Sequence, residues 1–150
     1  MTIPESLLQR LADEAGASPT PATGEQLEAL AAKNANGDTL EYFRVYNFNA
    51  NVDCVELDQA DANLEMMDGI TPNCEVWQHG FISFARDLEG RAYCFDQNDR
   101  DSEGRSRVVR LSYTFGANTS VDEISAAAEV IAANLLEFLD LYLDSKVDSM

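Results

Sequence analysis

The feature that most constrains the fold is a pair of apolar stretches joined by a charged turn, FISFARDLEGRAYCFD at residues 81–96. Aromatic and small residues alternate in the second stretch, which is the period of two of a β-strand. Gly90 in the turn tolerates a positive φ angle, as tight hairpins require. The segment therefore predicts a buried β-hairpin at the centre of a sheet. Its expected core residues are Phe81, Phe84, Tyr93 and Phe95.

Successive side chains of the hairpin should point to opposite faces of the sheet. A third strand is expected at 107–115, where apolar residues again alternate, so the three strands form an antiparallel meander. Asp96 is expected to end the second strand and to hold the following turn through hydrogen bonds to nearby backbone. The expected division of the first strand is Phe81, Ser83 and Ala85 on one face and Ile82 and Phe84 on the other.

A long helix is expected at the C-terminal end, over 121–143. Ser120 and Glu123 form a capping box at its start. Apolar residues then recur at spacings of three and four, the pattern of one buried helix face. We expect this stripe to pack on the sheet, with a coiled coil as the alternative. The stripe consists of Val121, Ile124, Ala128, Ile131, Leu135, Phe138 and Tyr142.

The N-terminal part contains shorter elements separated by turn signals. A first helix should follow Pro4 and end at Gly16. The next segment, 16–24, contains two prolines and two glycines and is expected to be a linker. The first helix is therefore expected to be a loosely tethered arm.

A second helix, a short third helix and a strand are expected before the hairpin. Thr23 and Gln26 form a capping box for the second helix. The order of elements predicts a single α+β domain, with an antiparallel meander sheet packed by helices on one face. The third helix is expected near 38–48, where the aromatic and β-branched residues also fit a strand as the alternative, and a strand is expected at 54–57. The expected organisation is an arm and linker at 1–22, the α+β domain at 23–143 and a frayed tail at 144–150.

The charge of the chain excludes one class of function. It has 27 acidic and 10 basic residues, a net charge of −17. Binding nucleic acid through its phosphates needs a basic surface, and anionic membranes also repel such a chain, so neither is an expected partner. The N-terminus has no secretion signal, and the three widely spaced cysteines suit a reducing compartment. We therefore expect a cytoplasmic protein.

One long segment, 45–85, has seven acidic residues and neither lysine nor arginine. It is either an acidic solvated surface or a face that meets a basic protein, and electrostatic attraction would speed that association. Trp77 is a candidate aromatic anchor for a partner, with core packing as the alternative. The candidate partner-binding residues are Asp53, Glu56, Asp58, Asp61, Glu65, Asp68, Glu75 and Trp77.

No residue pattern indicates catalysis or a bound metal. His79 is the single histidine and has no nucleophile motif around it, so we expect a structural or surface role. The loop 96–104 begins like a calcium-binding loop, but its two registers place Arg100 or Arg110 at a ligand position. We therefore expect a non-enzymatic protein without a cofactor or metal.

The hairpin and the C-terminal segment resemble the SUKH superfamily, and the helix TGEQLEALAA is similar to the opening helices of that family. The resemblance implies an α+β binding domain that is not an enzyme. Most bacterial members look like immunity proteins that block a toxin, often a nuclease or deaminase, and eukaryotic members resemble cell-wall regulatory scaffolds. The matching pieces are Phe81–Ala85, Gly90, Tyr93–Asp96, Val108–Leu111 and Leu136–Leu143.

Composition and resemblance together lead to an expected function. We expect an immunity protein that binds and neutralises a basic, nuclease-type toxin, because an acidic surface would attract the toxin's phosphate-binding face. A regulatory or scaffold domain with another protein partner is the alternative. An enzyme or small-ligand binder with an unrecognised site is a third hypothesis, which a deep apolar pocket with convergent polar groups would favour.

Overall fold

The predicted hairpin lies at the centre of an antiparallel sheet. The computed structural model describes residues 2–112, 115–116 and 118–147, and within them six strands pair in the order in which they occur along the chain. The predicted α+β class is confirmed. The strands are β1 (Ala50–Val52), β2 (Val55–Leu57), β3 (Phe81–Asp87), β4 (Ala92–Arg100), β5 (Ser106–Leu111) and β6 (Glu129–Ala132).

Helices precede, interrupt and follow these strands. The capping box of Thr23 and Gln26 is present at the start of the second helix, and Gly16 ends the first in a left-handed conformation, as predicted. A single turn of 3-10 helix, Trp77–His79, follows the fifth helix. The helices of the described residues are α1 (Glu5–Ala15), α2 (Gly24–Ala32), α3 (Gly37–Val45), α4 (Ala60–Gly69), α5 (Asn73–Val76), α6 (Val121–Ala127) and α7 (Leu135–Leu143).

Aromatic side chains join the sheet to the larger layer of helices. Phe84 and Phe95 lie with ring centroids 4.6 Å apart, and Phe138 of α7 meets Phe84 edge-on at 5.1 Å. The opposite face of the sheet carries a smaller cluster that includes Val76 of α5 and Ile124 of α6. Helical segments therefore cover parts of both faces, whereas the sequence predicted helices on one. The four predicted core residues Phe81, Phe84, Tyr93 and Phe95 are all fully buried.

A β-bulge in β3 changes which side chains share a face. Ser83 pairs with Cys94, but Ala85 pairs with Tyr93, so Phe84 is an extra residue in β3. Phe84 and Ala85 consequently belong to the same core cluster. The prediction that Ala85 faces the side of Phe81 is wrong, because strict alternation does not anticipate a bulge.

The predicted long C-terminal helix is wrong, since the segment forms α6, β6 and α7. Ser120 caps α6 as expected, but the chain then pairs with β5. Val130 and Ile131 are β-branched and suit a strand, and Asn134 caps α7 by accepting a hydrogen bond from the Glu137 amide at 3.0 Å. The apolar stripe is therefore divided between the two faces of the sheet.

The first helix packs as part of the core rather than as a loosely tethered arm. Leu7 and Leu11 of α1 are buried in the main cluster, where α1 meets α7. Val147, in the expected tail, is buried in the same cluster.

Tyr113 and Thr114, in the third predicted strand, lie outside the described residues. Within the described part of the chain, no helix has the length and apolar character needed to cross a membrane.

The packing of α1 leads to a testable expectation. Leu11→Ala removes a fully buried side chain and should lower the free energy of unfolding by about 2–5 kcal/mol. Leu88→Ala is the matched control because Leu88 is 81% exposed, and it should change stability by less than about 0.5 kcal/mol. Urea denaturation measures both. Equal stability of the two variants would contradict the packing of α1.

Candidate functional site

The structure separates the eight candidate partner-binding residues into different environments. Asp61, Glu65 and Asp68 lie on one exposed face of α4, because they are spaced four and three residues apart. Asp53 is exposed in the turn between β1 and β2, while Glu56 lies on β2. The acidic residues of segment 45–85 therefore do not share one surface. Three of them lie on a face of α4, and Asp53 and Glu56 lie in the hairpin of β1 and β2.

Trp77, Asp68 and Glu75 contact other parts of the protein. Trp77 is half-buried against the main core, and Lys33 lies 4.4 Å from its ring centroid. The same lysine pairs with Asp68 at 2.7 Å. Glu75 accepts a hydrogen bond from the Phe115 amide at 3.1 Å. Trp77 therefore fits the core-packing alternative better than the aromatic anchor.

A groove lies on the sheet face opposite the main core, over β1, β2 and the end of β3. Its volume is about 380 Å³. Glu56 and Arg86 belong to its strands, α4 and the following turn form one wall, and the turn between β3 and β4 forms the other. We call this cavity the groove, and its principal lining residues are Glu56, Arg86, Met66, Ile70, Asn73 and Leu88.

Buried polar side chains fix the α4 wall of the groove. Ser83 in β3 receives a hydrogen bond from Asn73 at 2.7 Å and donates one to Asn63 of α4 at 3.1 Å. The Asn63 amide donates in turn to the Asp58 carbonyl at 2.7 Å. A buried serine of β3 thus ties both helical segments to the sheet, and each member of the network has a partner.

The edge of the groove is formed by a tight hairpin. Asp53 and Cys54 have φ angles of 51° and 70°, the conformation of a two-residue type I′ turn. This turn uses two residues that carry side chains at positive φ, where glycine and asparagine are more usual. Sequence reasoning predicted a strand at 54–57. It missed β1 and the turn, because Asp53 and Cys54 do not give the usual signal of such a turn.

The groove exposes two large apolar side chains. Ile70, after α4, is 55% exposed, and Leu88, in the turn after β3, is 81% exposed. Both line the groove. Sequence reasoning missed both, although Leu88 is a leucine inside the charged turn RDLEGR and Ile70 lies between two turn signals. Because both side chains line one cavity, they offer apolar area to a partner that enters it.

Beside the groove, two carboxyl groups share one arginine. Arg86 Nη2 lies 3.8 Å from Glu56 Oε1, and Arg86 Nε lies 3.4 Å from Asp58 Oδ2. Glu56 and Arg86 face each other across β2 and β3. Asp58 is 3% exposed, and among the described residues its Oδ2 has no hydrogen-bond partner. The ion pair with Arg86 is thus a charge contact without hydrogen-bond geometry.

The surroundings of Asp58 favour its neutral form. Burial raises the pKa of the Asp58 carboxyl to about 7, and the charge of Arg86 opposes this only in part. The neighbouring Glu56 carboxyl raises the pKa further, as does the more distant Asp61. A carboxyl that titrates near neutral pH beside a groove is typical of a binding or catalytic site.

The loop that begins like a calcium site uses its acids elsewhere. Asp96 pairs with Arg107 at 2.9 Å and accepts a hydrogen bond from the Asn98 amide at 3.0 Å, so the predicted contact to following backbone is confirmed. The strand nevertheless continues beyond Asp96 to Arg100. Asp101 pairs with Arg105 at 2.9 Å. No three acidic, cysteine or histidine residues in the described ranges are arranged to hold a metal ion.

His79 ends the 3-10 turn and is half-buried. Its carbonyl accepts a hydrogen bond from the Asn98 side chain at 2.7 Å. This contact ties the turn to β4.

Comparison with known proteins adds no family, because no family model and no curated protein matches the chain.

The raised pKa of Asp58 predicts a pH-dependent stability. An unfolded Asp has a pKa of about 3.9, so folding raises the proton affinity of Asp58, and stability is lost as pH rises from about 4 to 7. Asp58→Asn should remove this loss and raise the free energy of unfolding at pH 8 by on the order of 1–3 kcal/mol. Urea denaturation at several pH values measures it.

The matched control is Glu65→Gln, which removes an exposed carboxyl from the same face of α4. Glu65 is not among the groups that shift the pKa of Asp58. We expect no growing gap between this variant and the parent as pH rises. A gap for Asp58→Asn that stays constant from pH 5 to pH 8 would contradict the raised pKa.

Proposed function

We propose that this protein is a non-enzymatic binding domain that neutralises a basic protein toxin by docking it on the groove. The observation that carries the proposal is the exposure of Ile70 and Leu88 in the lining of one cavity. Each exposes apolar area to water. A partner side chain that buried this area would stabilise the complex by about 25 cal/mol per Å² of apolar surface. Two such positions around a cavity suit an anchor residue of the partner.

The charge around the groove determines what kind of partner it suits. The chain has a net charge of −17, and the exposed acids Asp61, Glu65 and Asp68 lie on the helix that forms one wall. A basic partner would be attracted from a distance and oriented before contact, whereas an acidic partner would be repelled. The occupant is therefore a basic segment that carries an apolar anchor.

The toxin assignment adds the sequence resemblance to this surface. The SUKH-like hairpin and C-terminal segment support an immunity protein, and a nuclease-type toxin has the basic surface that the charge requires. The three cysteines are free thiols, which suits the cytoplasm as the place of action. A scaffold that binds a regulatory protein is the alternative, and the toxicity of the partner distinguishes the two.

Photo-crosslinking in cells of the source organism tests the docking surface. Benzoylphenylalanine at position 88 should crosslink to one basic protein, and the same probe at position 130 should not. Val130 is the matched control because it is 52% exposed on β6, the strand at the opposite edge of the sheet from β1. Equal crosslinking at both positions, or none at 88, would contradict docking at the groove.

The captured protein is then expressed with and without this chain. Toxicity that co-expression relieves, and that returns when the partner is co-expressed with Leu88→Glu, supports neutralisation through the groove. The buried charge should weaken the complex at least about tenfold, which corresponds to 1.4 kcal/mol. A captured partner that is not toxic contradicts the immunity function and favours the scaffold.

A further inference from the structure

We propose that the groove takes a tryptophan side chain of the docked partner, whose indole ring packs on Arg86, Glu56 and the apolar lining. This inference rests on the proposed function, because it names the anchor residue of the same partner. It is carried by the lining of one cavity, in which a cation and an anion lie together with the exposed apolar side chains Ile70 and Leu88.

The lining of the groove combines apolar and ionic surface. The cavity volume of about 380 Å³ falls within the range of about 300–1,000 Å³ that is usual for ligand pockets. Met66, Ile70 and Leu88 supply apolar area. Arg86 and Glu56 also line the cavity, and their side chains are 47% and 39% exposed. A side chain that enters the groove therefore meets apolar groups and two opposite charges at once.

The exposed charge pair keeps surface for a ligand. Arg86 contacts Glu56 at 3.8 Å and Asp58 at 3.4 Å through nitrogen atoms at the edge of its guanidinium. Contacts at the edge are compatible with stacking on the flat faces of the same group. The remaining charged residue of the lining, Asp87, is 3% exposed and accepts a hydrogen bond from Arg91 at 2.7 Å. Arg86 and Glu56 are thus the charges that the groove presents to a partner.

An aromatic ring has the charge distribution that matches this pair. Its face is negative and its edge is positive. The face of an indole is attracted to a cation such as Arg86 more strongly than the face of any other aromatic side chain. The indole N–H is a donor only, and the Glu56 carboxylate is an acceptor. The thioether of Met66 adds favourable contact with a ring. Tryptophan therefore matches each kind of group in the lining with one side chain.

Other anchors match the lining less well. A lysine or arginine anchor would meet Arg86, and an acidic anchor would meet Glu56 and the net charge of −17. An aliphatic anchor would cover both charges and return no polar contact for the water that it removes. The basic residues that the proposed partner carries have a separate place, the exposed acids of α4 beside the groove.

Capped amino acids test this choice in solution. N-acetyltryptophanamide is the probe, and N-acetylleucinamide is its uncharged aliphatic control. Amide chemical shifts are followed in ¹⁵N-labelled full-length protein, and dissociation constants are compared because a ring shifts nearby nuclei more than an aliphatic group does. We expect saturable shifts at Glu56, Arg86 and Leu88 in the millimolar range. The leucine probe should bind about two- to fivefold more weakly.

Variants of Arg86 separate stacking from general apolar binding. Arg86→Gln should weaken the tryptophan probe about two- to fivefold and leave the leucine probe unchanged, because only the aromatic face is attracted to the cation. Arg86→Lys keeps the charge beside Asp58 and loses the planar group, so it should weaken the tryptophan probe less. A damaged fold would weaken both probes. Arg44→Gln is the matched control, because Arg44 is 56% exposed on α3, which packs on the other face of the sheet.

The contact with Glu56 has its own probe. N-acetyl-1-methyltryptophanamide lacks the indole N–H and should bind the parent protein more weakly than N-acetyltryptophanamide. The difference between these two probes should disappear in Glu56→Ala, because the acceptor has been removed. A difference that persists in Glu56→Ala would contradict the hydrogen bond to this carboxylate.

Three results would overturn the tryptophan anchor: no saturable shift at the groove, equal binding of the leucine probe, or equal weakening of both probes by Arg86→Gln. None of them bears on crosslinking at position 88, which tests docking without reference to the anchor. A groove that crosslinks a toxin but binds both probes equally would leave the proposed function in place. Selective binding of the tryptophan probe without crosslinking at 88 would contradict docking and leave the indole site.

Discussion

Phe84 occupies the point where the sheet and the helices meet, and the rest of the structure depends on its packing. Its ring lies 4.6 Å from that of Phe95 in β4, 5.1 Å from Phe138 in α7 and 5.9 Å from Tyr42 in α3, measured between centroids. The bulge at Phe84 places it beside Ala85 on the same face. Aromatic contacts of this kind add about 0.5–1.5 kcal/mol each to the burial of apolar area. The same strand reaches the groove through Arg86, so the core also positions the site.

Sequence patterns predicted the elements in which one local signal dominates. The capped helix at Thr23 and the alternating hairpin around Tyr93 are of this kind, because capping and period-two patterning act over a few residues. The prediction of a long C-terminal helix failed for a non-local reason. The edge of β5 offers backbone hydrogen bonds to the segment at Val130, and that pairing outweighs a helical stripe. Bulges such as that at Phe84 also depend on tertiary packing.

The groove could be predicted only in part. Glu56 and Asp58 were included among the acidic candidates, but their separation from Asp61 follows from the turn of the chain between β2 and α4. Arg86 was not a candidate, because its opposition to Glu56 depends on the register of two strands far apart in sequence. In the sequence, Leu88 and Ile70 are each a single apolar residue near turn residues, which is only a weak signal of a binding surface. Their convergence on one cavity is a property of the fold.

The burial of Asp58 next to a half-exposed arginine is difficult to account for by stability. A well-packed apolar residue is often as stable as a buried ion pair, and a buried pair without hydrogen bonds is worse than either. The neighbouring chain Asn63–Ser83–Asn73 has the opposite character, since it is fully satisfied and therefore rigid. The pairing of β2 with β3 holds Asp58 in this buried position, so its carboxyl takes up a proton more readily than in the unfolded chain. The loss of that proton is what makes the fold less stable as pH rises toward 7.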